Sequence, residues 1–306
     1  MVLFLWVHRG LSRWEFAISS RKHYTRIRPI QGRRCLMSVL TISRQLGSLD
    51  LEIAQELART QQLSLIDKEE IEKKLQAYKV EKKNIERFDE RKPGFWDAFS
   101  ADRDIYLHYL KLAILEYARQ DNCIILGRGA QVILENVPGV LRLRFVSAPE
   151  IRAQRLQQEL NCNENHAYKL MMKSDHERAG FHRFFFDVDW TRDELYDIVL
   201  NTGTLPKETI LDILTRFMEE RSEKRKEERN NKLDDLILSQ QVVVKILYEA
   251  KLPVRFLEVR CTSGSVVLEG VTESHSVVSA AETIAKEVRG VKSVENRLSV
   301  VVHIGS

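Results

Sequence analysis

A short glycine turn near residue 47 has the residue types that could bind a phosphate group. Residues 40–43 form an apolar, β-branched run, Gly47 permits a tight turn, and apolar residues then recur at helical spacing as far as Ala58. A turn of this kind directs backbone N–H groups and a helix N-terminus into one small space, which favours an anion. The sequence therefore predicts a strand, a turn and a helix that could together hold phosphate.

The same turn lacks the side chains that usually accompany bound phosphates. The common phosphate loop is GxxxxGK[ST], in which the lysine reaches the β- and γ-phosphates and the hydroxyl binds Mg²⁺. This turn reads RQLGSLDLE, with one glycine, no lysine, and Asp50 near the place of the lysine. An ordinary turn in which Ser48 or Asp50 caps a helix would explain the same residues. The local sequence leaves both interpretations open.

The run around the turn resembles the first strand and loop of the cytidylate kinase-like family, ISRxxGSGGRxIA. The matching residues are Ile42, Ser43, Arg44, Gly47, Ser48, Ile53 and Ala54. Leu49, Asp50 and Leu51 replace the Gly, Gly and Arg of the family. The match covers the frame of the loop and departs at its centre.

For this part of the chain, the resemblance implies a donor site that binds ATP, with Mg²⁺ bridging its phosphates and no metal ligand from the chain. The residues placed around the donor are Arg44, Gln45, Gly47, Ser48, Asp50, Arg152 and Arg155. Arg152 and Arg155 follow a strand at 141–147, and their spacing of three puts them on one helix face. A solvated helix face explains these two arginines equally well.

Asp67 follows directly after a short apolar strand that begins at Ser64. The carboxyl edge of an open α/β sheet is where ligands bind, and the family has an Asp here beside the acceptor nucleotide. A helix N-cap, with Glu70 completing a capping box, is the alternative. The two interpretations have equal weight.

Arg128 and Gly129 lie in the sequence GRGA, directly after the apolar run 123–126. A continuous apolar run of this length is typical of a strand buried on both faces of a parallel sheet. An arginine between two glycines is suited to a bidentate grip on phosphate or carboxylate, and a surface arginine in a flexible loop is the alternative. GRGA is the best-preserved part of the resemblance, which implies that both residues hold the acceptor nucleotide.

The interval 163–190 corresponds to a mobile lid in similar kinases. The lid pattern D-x-x-R is matched by Asp175 and Arg178, and Arg183 follows. Lid arginines would neutralise charge on the transferred phosphoryl group as the site closes and excludes water. The resemblance therefore implies that Arg128, Asp175, Arg178 and Arg183 are the catalytic residues.

The elements that must position these residues alternate between strands and helices along residues 37–217. The last strand lies in YDIVLNTGTLP, where the family has a similar ending, and Pro206 opens a helix. This alternation predicts an α/β fold, a three-layer P-loop kinase-like domain with a parallel sheet. A charge-rich run at 218–232 predicts a solvated helical linker.

Residues 233–303 have a different pattern, in the order helix, strand, strand, helix and strand. The alternation in SVVLEGV and the ending GVKSVENRLSV resemble a BON domain, a small α+β (αββαβ) module. Such modules bind lipid surfaces or partner proteins, so the resemblance implies a phospholipid or protein partner. No catalytic residue set is visible in this segment.

Composition and charge limit the remaining possibilities. The chain has 306 residues and a net charge of +4, but residues 1–36 contain eight Lys or Arg and one acid, so the rest is slightly acidic. The folded body therefore gives no electrostatic case for binding nucleic acid. The basic leader, residues 1–36, is expected to be disordered or to precede a true start at Met37, and an Arg-rich targeting segment is the alternative.

The chain has no apolar run of the roughly 20 residues that cross a bilayer, so no transmembrane segment is expected. Four cysteines, Cys35, Cys123, Cys162 and Cys261, lie far apart with no CxxC pair, which favours reduced thiols and a cytoplasmic protein.

Two functions fit this sequence. In the first, the protein transfers the γ-phosphoryl group of ATP to a nucleoside monophosphate, CMP or dCMP. In the second, the same fold is a nucleotide sensor or scaffold that has lost turnover and serves the BON-like module. An anion in place of a cation beside phosphate favours the second, and retention of GRGA and the D-x-x-R pair favours at least nucleotide binding.

Overall fold

A five-stranded parallel sheet forms the centre of the first folded region. The computed structural model describes residues 39–88, 101–221 and 225–301, and the leader 1–36 lies outside these ranges. The strands are β1 (Val39–Arg44), β2 (Ser64–Ile66), β3 (Cys123–Leu126), β4 (Val140–Val146) and β5 (Ile198–Asn201). Their order in the sheet is β2-β3-β1-β4-β5. The chain moves to one side of β1 for β2 and β3 and to the other for β4 and β5.

Helices cover both faces of this sheet. They are α1 (Asp50–Gln61), α2 (Lys68–Ala77), α3 (Lys82–Arg87), α4 (Ala101–Arg119), α5 (Ala130–Ile133), α6 (Pro149–Leu160), α7 (Glu164–Phe186) and α8 (Lys207–Arg221). The strands are apolar on both faces, as the neighbouring residues Val39 and Leu40 of β1 illustrate with at most 1% exposure. One apolar cluster lies on each face of the sheet. The predicted three-layer α/β fold with a parallel sheet is therefore confirmed.

The predicted αββαβ module is also confirmed. Its elements are α9 (Lys226–Val244), β6 (Arg255–Thr262), β7 (Ser265–Thr272), α10 (His275–Glu287) and β8 (Ser293–Val300), with a π-helical turn at Lys245–Glu249 after α9. Strands β6 and β7 are antiparallel, whereas β7 and β8 are parallel. The hairpin turn at Ser263 and Gly264 has two positive φ angles, 51° and 87°, as a tight two-residue turn requires.

Helix α9 joins the two cores. Leu233 belongs to the apolar core beside the five-stranded sheet, while Val242, nine positions later on the same helix, belongs to the core of the αββαβ module. The side chain of Gln240 contacts Nδ1 of His108 on α4 at 2.6 Å. One continuous helix is thus packed into both modules.

One residue in the charged start of α9, Arg229, is buried. The charge-rich run predicts a solvated segment, but the Arg229 side chain is only 1% exposed and its Nη2 lies 2.5 Å from Oδ1 of Asp121. A second pair, Arg119 with Asp234, has a 2.6 Å contact and is largely exposed. Attraction to the Asp121 carboxylate offsets the cost of desolvating the Arg229 charge on burial, and the local charge pattern cannot reveal this distant partner. The domain boundaries 37–217, 218–232 and 233–303 stay predictions.

Removal of the buried pair should cost much more stability than removal of the exposed one. Because Arg229→Ala leaves Asp121 without its buried partner, we expect a loss of about 3 kcal/mol in the free energy of unfolding. The matched Arg119→Ala change should cost less than about 1 kcal/mol, since exposed ion pairs contribute little. Urea unfolding of both variants measures the difference, and equal costs would contradict a structural role for Arg229.

Candidate functional site

The predicted site residues follow four neighbouring strands at one edge of the parallel sheet. The turn 45–49 follows β1, Asp67 follows β2, Arg128 follows β3, and α6 begins three residues after β4. The carboxyl edge of such a sheet, where connections diverge on either side of one strand, is the usual ligand position in open α/β folds.

The turn after β1 has the backbone geometry that the glycine pattern predicts. The Ser48 N–H group donates to the Gln45 carbonyl oxygen at 3.1 Å, and Gly47 has a φ angle of +81°. A Cβ atom on Gly47 would lie 2.9 Å from the carbonyl oxygen of Arg152, so a larger residue does not fit. Leu49 also has a left-handed φ angle, 56°, which costs a non-glycine residue about 1 kcal/mol.

Asp50, the first residue of α1, lies where the turn meets the helix. Its side chain is mostly buried, and its Oδ2 atom forms an ion pair with Nε of Arg44 at 2.7 Å. Burial raises the pKa of Asp50, and the charges of Arg44 and Arg178 oppose that rise. The N-terminus of α1 also favours a negative charge at this position. The turn therefore contains an anion, and the anion is the protein's own carboxylate.

Arg152 and Arg155 hold the backbone of this turn. Nε of Arg152 donates to the Leu46 carbonyl oxygen at 2.8 Å, and its two Nη atoms contact both oxygens of Asp175 at 2.8 and 2.9 Å. Nη1 of Arg155 donates to the Gly47 carbonyl oxygen at 3.2 Å, and burial lowers its pKa. The structure thus gives both arginines contacts within the protein, where a solvated helix face was the alternative interpretation.

Arg128 is buried, which excludes the interpretation of a surface arginine in a flexible loop. Its side chain is 2% exposed, and its Nη2 and Nη1 lie 3.3 Å from Oε1 of Glu72 and from the Tyr106 hydroxyl. Glu72 is on α2, whose N-cap is Asp67; the Asp67 carboxylate accepts the Glu70 N–H at 3.1 Å. The cap interpretation of Asp67 is therefore observed, and Asp67 and Arg128 are linked through α2.

The predicted lid interval contains one continuous helix, α7, followed by a turn. Asp175 contacts α6 through Arg152, and Arg178 is close enough to Asp50 to lower its pKa. Arg183 is exposed, and its charge acts on Asp189 rather than on the turn after β1. The structure therefore brings Asp175 and Arg178 to the turn and leaves Arg183 aside.

Helix α7 also contacts the GRGA loop. A Cβ atom on Gly129 would lie 2.2 Å from the ring of Phe186, so the close approach requires glycine. Nε2 of His182 lies 2.8 Å from Nε2 of Gln131, and both side chains are almost fully buried. Sequence reasoning missed Gln131, His182, Glu72 and Tyr106, of which only Gln131 had a signal, its position directly after GRGA.

Residues 39–204, more than half of the chain, match the family model for the cytidylate kinase-like family. The chain belongs to the cytidylate kinase-like family. Residues 234–302 match the BON domain model, so the αββαβ module is a BON domain. Both resemblances seen in the sequence are thus confirmed.

Three curated proteins are similar to parts of the chain. A cytidylate kinase of Methanocaldococcus jannaschii is 25% identical over 33% of the chain, the osmotically inducible protein Y of Escherichia coli 39% over 21%, and a uronate isomerase of Corynebacterium glutamicum 29% over 32%. The chain spans 58%, 32% and 19% of the lengths of these three relatives.

A solved structure supports the fold of the cytidylate kinase-like region. A protein of Eubacterium ventriosum, described as uncharacterized, matches 60% of this chain and 99% of its own length with a TM-score of 0.50. The sequence identity is 24%, so this likeness concerns the fold alone.

Within the described ranges, no group of three or more His, Cys, Asp or Glu side chains is placed to hold a metal ion. No helix in the same ranges is long and apolar enough to cross a bilayer.

The contact between Gly129 and Phe186 gives a direct test of how α7 docks on the GRGA loop. Gly129→Ala should lower the free energy of unfolding by about 3 kcal/mol, because the added methyl overlaps the Phe186 ring and the positive φ angle disfavours alanine. Gly139 has a similar φ angle but its nearest neighbour would be 3.4 Å from a Cβ atom, so Gly139→Ala should cost only about 1 kcal/mol. Denaturant unfolding measures both values, and equal losses would contradict the close approach.

Proposed function

We propose that the kinase-like domain transfers the γ-phosphoryl group of ATP to CMP or dCMP. The observation that supports this most is the buried Asp50 carboxylate at the N-terminus of α1, on which Arg44 and Arg178 both act. Two arginines and a helix N-terminus around one anion are the surroundings that a phosphate group also favours. We infer that the donor phosphates bind where this carboxylate now lies.

On the donor side, the residues divide into two roles. Gly47 and the start of α1 would supply backbone N–H groups, and Arg44 and Arg178 would supply positive charge. The Ser48 N–H would join them by leaving the Gln45 carbonyl oxygen. Arg152, Arg155 and Gln45 would position the turn, since the two arginines donate to its carbonyl groups and the Gln45 side chain accepts the Ser147 N–H at 3.3 Å. A turn that is already fixed loses little conformational entropy when phosphate binds. Such preorganised charge favours catalysis.

Asp50 is the residue that fits bound triphosphate least. An ionised carboxylate in this pocket repels the phosphates, and the turn has no lysine to offset it. Mg²⁺ would enter with the triphosphate and neutralise part of its charge. Asp50 must therefore move away from Arg44 or take up a proton when ATP binds.

On the acceptor side, Asp67, Arg128 and Gly129 would hold the nucleoside monophosphate. The guanidinium of Arg128 now contacts Glu72 and the Tyr106 hydroxyl. To bind the acceptor phosphate, Arg128 would have to leave Glu72. The acceptor phosphate would replace the carboxylate of Glu72 as the negative charge beside this buried guanidinium. Arg183, at the end of α7, could join the site only if the helix moved.

A second function is favoured by the Arg44–Asp50 pair. While the pair is closed, the pocket is filled and the main cation is neutralised, so the fold could bind nucleotide weakly without turnover. The protein would then be a nucleotide sensor or scaffold whose BON domain binds a lipid surface or a protein partner. In either case we propose a cytoplasmic location, for which the free thiols of Cys123, Cys162 and Cys261 give support.

A coupled assay with ATP, Mg²⁺ and CMP, dCMP, UMP or AMP tests the enzymatic proposal. We expect product with CMP or dCMP, and Arg178→Ala should lower kcat/KM by about 100-fold because it removes charge beside the transferred group. Arg59→Ala, an exposed arginine on the outer side of α1, is the matched control and should leave kcat/KM unchanged.

Calorimetry with ATP separates the outcomes of that assay. Heat from ATP without product in the assay would favour the sensor. No heat at millimolar ATP would contradict both functions.

Asp50→Asn tests the role of the internal carboxylate by removing charge at nearly constant size. We expect the variant to bind ATP about tenfold more tightly at pH 8, because the repulsion is gone. In the wild type, affinity should rise as the pH falls, since the raised pKa of Asp50 brings protonation to a pH above its usual 3.8. The variant should show only the pH dependence of ATP itself, so identical profiles would contradict the role of Asp50.

A further inference from the structure

Strand β8 is an edge of the BON sheet. The sheet order is β6-β7-β8, so β6 and β8 are its two edges. Strand β6 lies beside α9, where the Cys261 thiol contacts a carboxylate oxygen of Asp235 at 3.4 Å. Among the residues that the structure describes, no strand pairs with the outer side of β8. An uncovered edge strand is a template for pairing with another strand.

The hydrogen bonds of β8 show which residues direct their backbone N–H and C=O groups away from β7. The Val301 N–H group, just after β8, donates to the Thr272 carbonyl oxygen of β7 at 2.9 Å. The Leu298 N–H group instead donates to Oδ1 of Asn296 on its own strand, at 3.1 Å. Because alternate residues of a strand direct their N–H and C=O groups to opposite sides, Val294, Asn296 and Leu298 present theirs away from β7.

The sequence of this edge has nearly the same order of residue types in both directions. Residues 293–299 read SVENRLS, with Asn296 at the centre. Outward from Asn296, each side has a charged residue, then an apolar residue, then a serine, and the two charges have opposite signs. Ser293, Glu295, Arg297 and Ser299 are all exposed, whereas Val294 and Leu298 face the core. The symmetry in residue type therefore coincides with the symmetry in sheet face.

We propose that β8 pairs antiparallel with β8 of a second copy of this chain, centred on Asn296. In this register Val294 lies opposite Leu298 of the second copy, and their outward N–H and C=O groups form hydrogen-bonded pairs. Glu295 lies opposite Arg297 of the second copy in the close, non-hydrogen-bonded position, and the two-fold symmetry repeats this ion pair. The two BON sheets become one six-stranded sheet through an isologous contact.

The ion pairs of Arg297 within the single chain can be replaced by a pair with the second copy. Arg297 now contacts Glu295 on its own strand at 2.7 Å and Glu269 of β7 at 3.2 Å, and both contacts are exposed. Exposed ion pairs of this kind are weak, so redirecting one across the new interface costs little. Asn296 satisfies the Leu298 N–H in the single chain, and this cap must open when the second strand binds. The pairing is therefore reversible and concentration-dependent.

The register predicts a charge-swap experiment on the full chain by sedimentation equilibrium. The wild type should form dimers as its concentration rises. Glu295→Arg places like charges opposite each other twice and should weaken dimerisation by about tenfold or more. The double change Glu295→Arg with Arg297→Glu restores opposite charges and should recover the wild-type dissociation constant.

Glu249→Arg is the matched control, because Glu249 is exposed on the π-helical turn after α9 and contacts Lys245, away from β8. It should leave dimerisation unchanged, and circular dichroism should show the same folded spectrum for all variants at the temperature of the experiment. A wild type that stays monomeric at all concentrations would overturn the proposal. A dimer that is insensitive to Glu295→Arg, or that the double change fails to restore, would overturn it as well.

Discussion

The ion pair between Arg44 and Asp50 is the interaction on which the candidate site depends. It places a negative charge at the N-terminus of α1, where a helix terminus, a left-handed glycine turn and two arginines converge. The pair stabilises the turn without any ligand. It also means that a nucleotide phosphate, in the function proposed above, would compete with a carboxylate that is covalently present at the site.

The rest of the site is arranged to keep this turn rigid. Arg152 ties the turn to α6 and, through Asp175, to α7, while α7 in turn packs against the GRGA loop through Phe186 and Gly129. The proposed donor and acceptor sides are therefore connected by one helix. A movement of α7 would change both sides together, which is how a lid coordinates closure with charge neutralisation in a phosphotransferase.

The parts of the structure that follow from local pattern could be predicted from the sequence. Buried strands appear as short apolar runs, so β3 at Cys123–Leu126 and the parallel sheet were predictable, as was the BON domain. The contacts of Arg152 with residue 46 and of Arg128 with Glu72 were not. Ion pairs between distant elements leave no periodic signal, and the buried Arg229 lies in a run that otherwise has the composition of a solvated helix.

A crystal structure of the full chain with Mg²⁺ and a non-hydrolysable ATP analogue tests the role of the Arg44–Asp50 pair most directly. We expect the Asp50 carboxylate to leave Arg44, with phosphate oxygens between Arg44 and Arg178 at the start of α1. An analogue bound elsewhere, or bound while the 2.7 Å contact between Arg44 and Asp50 persists, would contradict this expectation.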